Sequence, residues 1–422
     1  MTTPSTASPF PPAGFGRFWF GEAVSGFGNY VTVIALQFVV VLTLGGTATQ
    51  VGWLNSTRWL PYLAIGLIVG ALVDRRRRRP LMVATDLTRA LLLIAIPLAY
   101  VMDVLSLPLL LVIVAAFGTA SLVNDAASMS FLPRLVPGEH LQRAHARIDG
   151  TDAVAQTSGP ALAGLLVSLV GAPFAVLVNA GTYLVSAFTV ATLDTKEPTP
   201  SGVAADSPNL RREIREGLKG VYGRSGLATL AISTHTWFIA NATVSVVIAP
   251  FALLELDLSA FQFGVVTGLA GVGALAGAAL TSTVGRSVGT GGAIMVARAV
   301  STFGVLVMAL SGVGTSGWAA AGVLGAGVAL HGFGMGLSNS HEMSYQQRLT
   351  PDGLQARVNT TMRSANRAVI VVVAPLAGLL ADQFGMRPAL LCAAAIFAVA
   401  VAILAATPSL RVGVDAPSGT GS

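Results

Sequence analysis

The sequence predicts an all-α membrane protein. Twelve transmembrane helices are expected in two six-helix bundles, related by a pseudo-two-fold axis along the membrane normal. Three observations predict this. The 422 residues are 53% hydrophobic and only 10% charged, with a mean hydropathy of +0.72, whereas a soluble domain carries roughly 25% charged residues. The apolar residues fall into long runs, and about 20 of them cross the hydrocarbon core as a helix. Finally, a segment of the first half recurs in the second: Met129-Ser-Phe-Leu-Pro-Arg134-Leu-Val-Pro137 returns as Met343-Ser-Tyr-Gln-Gln-Arg348-Leu-Thr-Pro351.

Residues 1–14 are uncharged and rich in Pro, Ser and Thr, which predicts a disordered tail. The first apolar run is too long for a cleavable signal peptide. The first bundle occupies 15–193, with runs starting near Phe18, Val51, Leu81, Leu107, Thr151 and Phe174. A polar linker, 194–226, follows. Its part from 210, with Arg211, Arg212, Glu213, Arg215 and Glu216, reads as an amphipathic helix on the cytoplasmic surface. The second bundle, 227–406, has runs starting near Leu227, Gln262, Gly291, Gly317, Val358 and Pro388. Residues 407–422 form a cytoplasmic tail. The repeat continues into the helix after it, where Pro160 and Gly164 align with Pro375 and Gly378. Six helices between the copies make both halves run in the same sense.

The loops assign the sides. Cations gather in alternate loops: 75–79, then Arg134, Arg143 and Arg147, then the linker, then Arg286, then Arg348, Arg357 and Arg363. The loops between are nearly bare or acidic. Cation-rich loops stay in the cytoplasm, so both termini are expected there, in a plasma or bacterial inner membrane. The net charge of +6 therefore reports topology rather than a nucleic-acid partner. The single Cys392 gives no disulfide framework, and the five histidines show no metal-ligand spacing. There is no Walker loop and no catalytic constellation, so neither an enzyme nor a cofactor is expected. His341 and Glu342 are adjacent and point to different helix faces.

Polar and charged residues inside spans are costly and usually functional. Glu22, early in the first helix, is the best-placed first-half carboxylate for a proton or a cationic substrate. Asn29 and Arg58 lie deeper along the first and second helices. Asp86 and Arg89 are three residues apart on one helical face and can pair. His235, Asn241, Arg298 and His331 occupy the seventh, ninth and tenth helices. Each could serve substrate or proton, or be a satisfied interior group. Arg348, Arg357, Arg363 and Arg367 are expected at the cytoplasmic gate. Gly264, Gly268, Gly273 and Gly277 read as a packing face.

Gly70-x-Leu72-x-Asp74-Arg75-x-x-Arg78-Arg79 joins the second and third helices. Gly70 would let helices approach closely. Asp74 would cap the following helix, and the arginines would pair with an acid such as Asp125. Gly70, Asp74, Arg75, Arg78 and Asp125 are thus read as a conformational latch, and the arginines also as a topological anchor. Gly159-Pro160, with Gly164, predicts a kinked, tightly packed fifth span.

The loop resembles the signature of the major facilitator superfamily, Gly-x-Leu-Ala-Asp-Arg-x-Gly-Arg-Lys. The likeness extends through Asp86-x-x-Arg89, Pro133-Arg134-Leu135-Val136-Pro137, Glu216-Gly217-Leu218, Arg348-Leu349-Thr350-Pro351, Arg357-Val358-Asn359 and Met362-Arg363. It is nearest to the drug-exporting branch that includes enterobactin exporters and macrolide-efflux proteins. Two positions depart: Arg77 replaces the second loop glycine, and Asn29 stands where relatives often carry Asp. The resemblance implies a monomeric secondary exporter working by alternating access, with Gly159-Pro160 matching the exporter motif. Protons are the implied coupling ion and amphipathic, drug-like or siderophore-like molecules the implied substrates. A proton-coupled importer on the same fold, and a receptor that does not transport, remain alternatives.

Overall fold

The computed structural model describes residues 11–12, 14–194, 210–223 and 225–406. The expectations for most of the N-terminal tail, for 195–209 and for 407–422 lie outside these residues. Thirteen α-helices follow in order: α1 Phe15–Phe38, α2 Ala48–Ala64, α3 Gly66–Asp74, α4 Arg78–Val101, α5 Leu107–Leu135, α6 Leu141–Val170, α7 Ala172–Ala191, α8 Leu210–Tyr222, α9 Ser225–Pro250, α10 Ala260–Leu310, α11 Gly317–Leu349, α12 Gln355–Phe384 and α13 Met386–Ala405. α1 and α9 both end in a π-helical turn, Val39–Thr43 and Phe251–Glu255.

Ten of the described helices are long and apolar enough to cross a membrane. Two local features reconcile ten with twelve. The second span is broken: Pro61 removes a backbone donor, and at Ile65 (φ −128°, ψ 6°) the chain leaves the helix before α3 begins. Neither piece is long enough to count alone. α10 holds two spans joined at Gly289, whose φ of 72° and ψ of 171° only glycine adopts freely. Large apolar side chains lie bare on the outside, among them Phe188 at 69% and Leu169 at 71% exposure. Water would penalise that surface and lipid does not.

The chain divides into two compact units, one made of residues up to 39 and 64–194, the other of 40–63 and the described residues from 210 onward. In unit 1, α1 lies against α7. Gly28 faces Asn179, which donates to Thr32 Oγ1 at 2.6 Å. Gly159 of α6 sits on the Tyr30 side chain, where a Cβ would come within 2.6 Å. The Gly159-Pro160 segment is thus a close helix contact, and α6 runs continuously through it.

In unit 2, α10 and α11 pack backbone to backbone: Gly273 and Gly277 face Ala329 O and Phe333 O, and Gly332 and Gly336 face Ala270 O and Ala274 O. Gly273 and Gly277 of the expected packing face thus make close backbone contacts. α2 is joined to α12 in the same way. A Cβ on Gly52 would lie 2.3 Å from Ala374 O, and one on Gly378 would lie 2.4 Å from Ala48 O. The Asp382 carboxylate accepts from Ala48 N and Thr49 N, both at 3.0 Å, and so closes the positive end of α2. Ser56 Oγ donates to Val371 O at 2.7 Å. The linker helix α8 buries Gly217, Gly220 and Val221 against α12, and Glu216 pairs with Arg357.

One expectation for the arginine loop needs correction. A Cβ on Gly70 would meet nothing within 4 Å, so no tight helix approach depends on it. By backbone, Asp74 ends α3 and the N-cap position of α4 is Arg77. Arg77 has φ −70° and ψ 128°, an extended conformation open to any residue, so the glycine of related loops is not required there.

Candidate functional site

The expected site residues fall into two groups, one in each unit. In unit 1, α4 places Asp86 and Arg89 on one face, and they form an ion pair. Asp86 is fully buried and Arg89 is 5% exposed. Asn124 of α5 donates to Thr85 Oγ1 at 2.8 Å and to Asp86 Oδ1 at 3.2 Å. The Arg89 guanidinium lies 4.1 Å from the centre of the Tyr183 ring, a cation–π contact strengthened by burial. Tyr183, from α7, donates its hydroxyl to Asn29 Oδ1 on α1. One polar network therefore ties four helices together.

Glu22 stands beside this network. Its carboxylate accepts from Ser128 Oγ at 3.2 Å and lies within Coulombic range of Asp86, Arg89 and Asp125. It also lines a cavity of about 310 Å³ between α1 and α6, with Trp19, Ser25, Asn29, Asp149 and Asp152. Among the described residues, three carboxylates and an indole face this space and no cation does. Such a lining suits a proton or the amine of an amphipathic molecule. Trp19 is held by Thr151 Oγ1 at 3.0 Å, and Asp152 accepts from Tyr30 at 3.3 Å.

In unit 2, Arg298 of α10 is 1% exposed. It donates to Ser233 and, at 2.9 Å, to Thr234 on α9, and pairs with Glu342 of α11 at 3.2 Å. His331 Nε2 bonds Asn241 Oδ1 at 3.1 Å, and its ring stacks on Trp237 at 6.1 Å. His235 accepts from Tyr222 at 2.8 Å through Nε2 and donates to Asn366 at 2.7 Å through Nδ1, so one tautomer satisfies both. Burial pushes the Tyr222 phenol up, which keeps it a donor. Arg58 lies 5.8 Å from the Trp59 ring.

The gate arginines are spread out. Arg348 donates to Thr290 Oγ1 at 3.0 Å, Arg357 holds the linker helix, and Arg363 is exposed. Arg367 lies three turns into α12, 4.7 Å from the Tyr62 ring of α2. Arg78 is buried at the start of α4. Asp125 lies near Arg89 as well as Glu22. Tyr183, Asn124, Ser128 and Glu342 were absent from the expected set. A lone Tyr or Asn inside an apolar run was the available signal for the first two.

Residues 18–374 match the profile of the Major Facilitator Superfamily. The chain is 28% identical over 233 residues to macrolide efflux protein A of Streptococcus pyogenes, covering 53% of this chain and 55% of that one. It is 27% identical over 222 residues to the multidrug efflux pump Tap of Mycolicibacterium fortuitum, covering 50% and 53%. These alignments span about half the length of the relatives. Among solved structures, a bacterial homologue of the iron transporter ferroportin superposes with a TM-score of 0.76 at 14% identity, covering 93% of this chain and 98% of that one. A POT family transporter in complex with 5-aminolevulinic acid gives 0.75 at 13% identity, covering 96% and 98%. These two establish the shared fold.

Proposed function

The chain belongs to the Major Facilitator Superfamily, and on that premise we propose that it is a proton-coupled efflux pump for amphipathic, drug-like or siderophore-like molecules. The observation that carries the reading is Glu22: a carboxylate at the wall of an acid-lined cavity, bonded to a hydroxyl and adjoining a buried ion pair. Ser128 can donate to the carboxylate or accept from the carboxylic acid, so it serves both protonation states. A proton and a bound amine compete for the same charge. At about 4 Å and an effective dielectric near 20, a cation and a carboxylate attract by roughly 4 kcal/mol. That amounts to about a thousandfold in occupancy, which suffices to make one ligand displace the other. Alternating access then turns this competition into exchange: substrate leaves as a proton enters. The efflux relatives and the Gly159-Pro160 segment support export over uptake.

The test is accumulation of dyes and drugs in a host stripped of its own pumps. The wild-type chain should lower retention of cationic amphiphiles, and a protonophore should restore it. Glu22→Gln should abolish the pH dependence of that efflux. Unchanged retention across a broad panel, with uptake of a nutrient instead, would sink the export reading and favour the importer. Ligand binding without flux in liposomes would favour a receptor.

A further inference from the structure

The two units carry one polar arrangement with its chemistry exchanged. The displacement that takes the π-helical turn at Val39 onto that at Phe251 also takes Asn29 onto Asn241 and Glu22 onto Thr234. The displacement that takes Met129 onto Met343 takes Ser128 onto Glu342, Phe117 onto His331 and Tyr183 onto Phe397. Met82-Val83-Ala84-Thr85 aligns with Met295-Val296-Ala297-Arg298.

The contacts obey this register. Phe117 and Tyr183 are tilted by 52° with centroids 6.0 Å apart, and His331 and Phe397 by 57° at 5.4 Å. In each unit the polar member of the pair bonds the matching asparagine, Tyr183 to Asn29 and His331 to Asn241. Further along, unit 1 has its acid on α1, Glu22, and a hydroxyl on α5, Ser128. Unit 2 has the hydroxyl on α9, Thr234, and the acid on α11, Glu342. What unit 2 adds is Arg298, in the place of Thr85, joined to both.

We propose that Arg298 is a positioning residue that withdraws Glu342 from proton traffic, so that of these two acids only Glu22 takes part in coupling. The proposal rests on the proton-coupled reading above. The guanidinium cannot give up its own proton. It is fixed by Ser233 and Thr234 and forms an ion pair with Glu342 at 3.2 Å. Most other titratable side chains on the surrounding elements have partners of their own. On α9, His235 is bound to Tyr222 and Asn366. On α11, His341 is bound to Thr281 O and His331 to Asn241, while Tyr345 packs in an apolar cluster. Arg387 of α13 bonds Ala309 O and Glu255. Arg298 is therefore the counter-charge that separates the behaviour of two acids at exchanged positions.

The test transplants the unit 1 pair. In vesicles loaded with a pH-sensitive dye, protons moved per exported cationic dye are counted for wild type, R298T and R298T/E342S. R298T should add a second transition to the pH–rate profile and raise the proton count up to twofold. R298T/E342S should return to the single transition of the wild type. Proton movement in the wild type, with R298T coinciding with R298T/E342S, overturns the proposal and leaves the proton-coupled reading standing. No proton movement in the wild type overturns both. A readout independent of R298T folding is the infrared carbonyl band of a protonated carboxyl. Wild type and E342Q should give the same band across the transport pH range, and a band that E342Q lacks overturns the proposal.

Discussion

Asp86→Asn and Arg89→Met attack the same buried ion pair from its two ends, and the two losses should respond oppositely to acid. Removing one partner of a buried pair costs about 3–5 kcal/mol, because the other charge is left uncompensated. With Asp86 neutral, Arg89 stays charged at any pH that proteins tolerate. Its contact with Tyr183 at 4.1 Å already exists in the wild type and offsets nothing new. The deficit should stay near that range at every pH. With Arg89 replaced, Asp86 can bind a proton instead. From an ordinary carboxylate value near 3.9, neutralisation costs about 4 kcal/mol at pH 7 and about 1.5 kcal/mol at pH 5. The folded variant then holds a proton that the unfolded chain lacks between those pH values, so its stability rises as pH falls. The assay is thermal unfolding in detergent at pH 7 and pH 5. The Arg89→Met deficit should shrink by about 2.5 kcal/mol while the Asp86→Asn deficit holds. Equal pH response of the two variants would refute the assignment of a charged, buried pair.

Other outcomes follow from the same geometry. Glu22→Gln should weaken binding of cationic amphiphiles by up to about a thousandfold and lose acid-driven efflux, read as dye extrusion against an imposed pH gradient. Gly52→Ala forces a Cβ to 2.3 Å from Ala374 O and should cut yield of folded protein sharply, whereas Gly70→Ala meets nothing and should stabilise by about 0.5–1 kcal/mol through helix propensity. Asp382→Asn loses the anion at the start of α2. Charge-assisted bonds of this kind are worth about 1.5–3 kcal/mol when buried and less at this exposed side chain, so amide exchange at residues 48–50 should quicken roughly tenfold.

The spans were legible because apolar length is a direct consequence of bilayer thickness. The break at Ile65 was not, since Leu63-Ala-Ile-Gly-Leu reads as unbroken hydrocarbon and only Pro61 hints at it. The Asp86–Arg89 pair was legible from a spacing of three within one helix. Arg298 and Glu342 sit on different helices, and no local period links them, so only the fold brings them together. The face assignment for His341 and Glu342 does show: one bonds Thr281 O and the other Arg298. Gly70 misled because a glycine near a helix end reads as a packing contact. Its neighbours in space, not its neighbours in sequence, decide whether a missing Cβ matters.

The divided second span makes the two units inseparable at the gene level. A cut in the linker would leave residues 40–63, which belong to unit 2, on the N-terminal fragment. That fragment would carry a loose strap with Gly52 and Ser56 uncovered. The C-terminal fragment would present an unfilled groove along α12, ending at Asp382. Co-expressed halves should therefore find each other by threading that strap into its groove, much as swapped domains do. A C-terminal fragment expressed alone should fold only when residues 40–63 are supplied as a separate peptide.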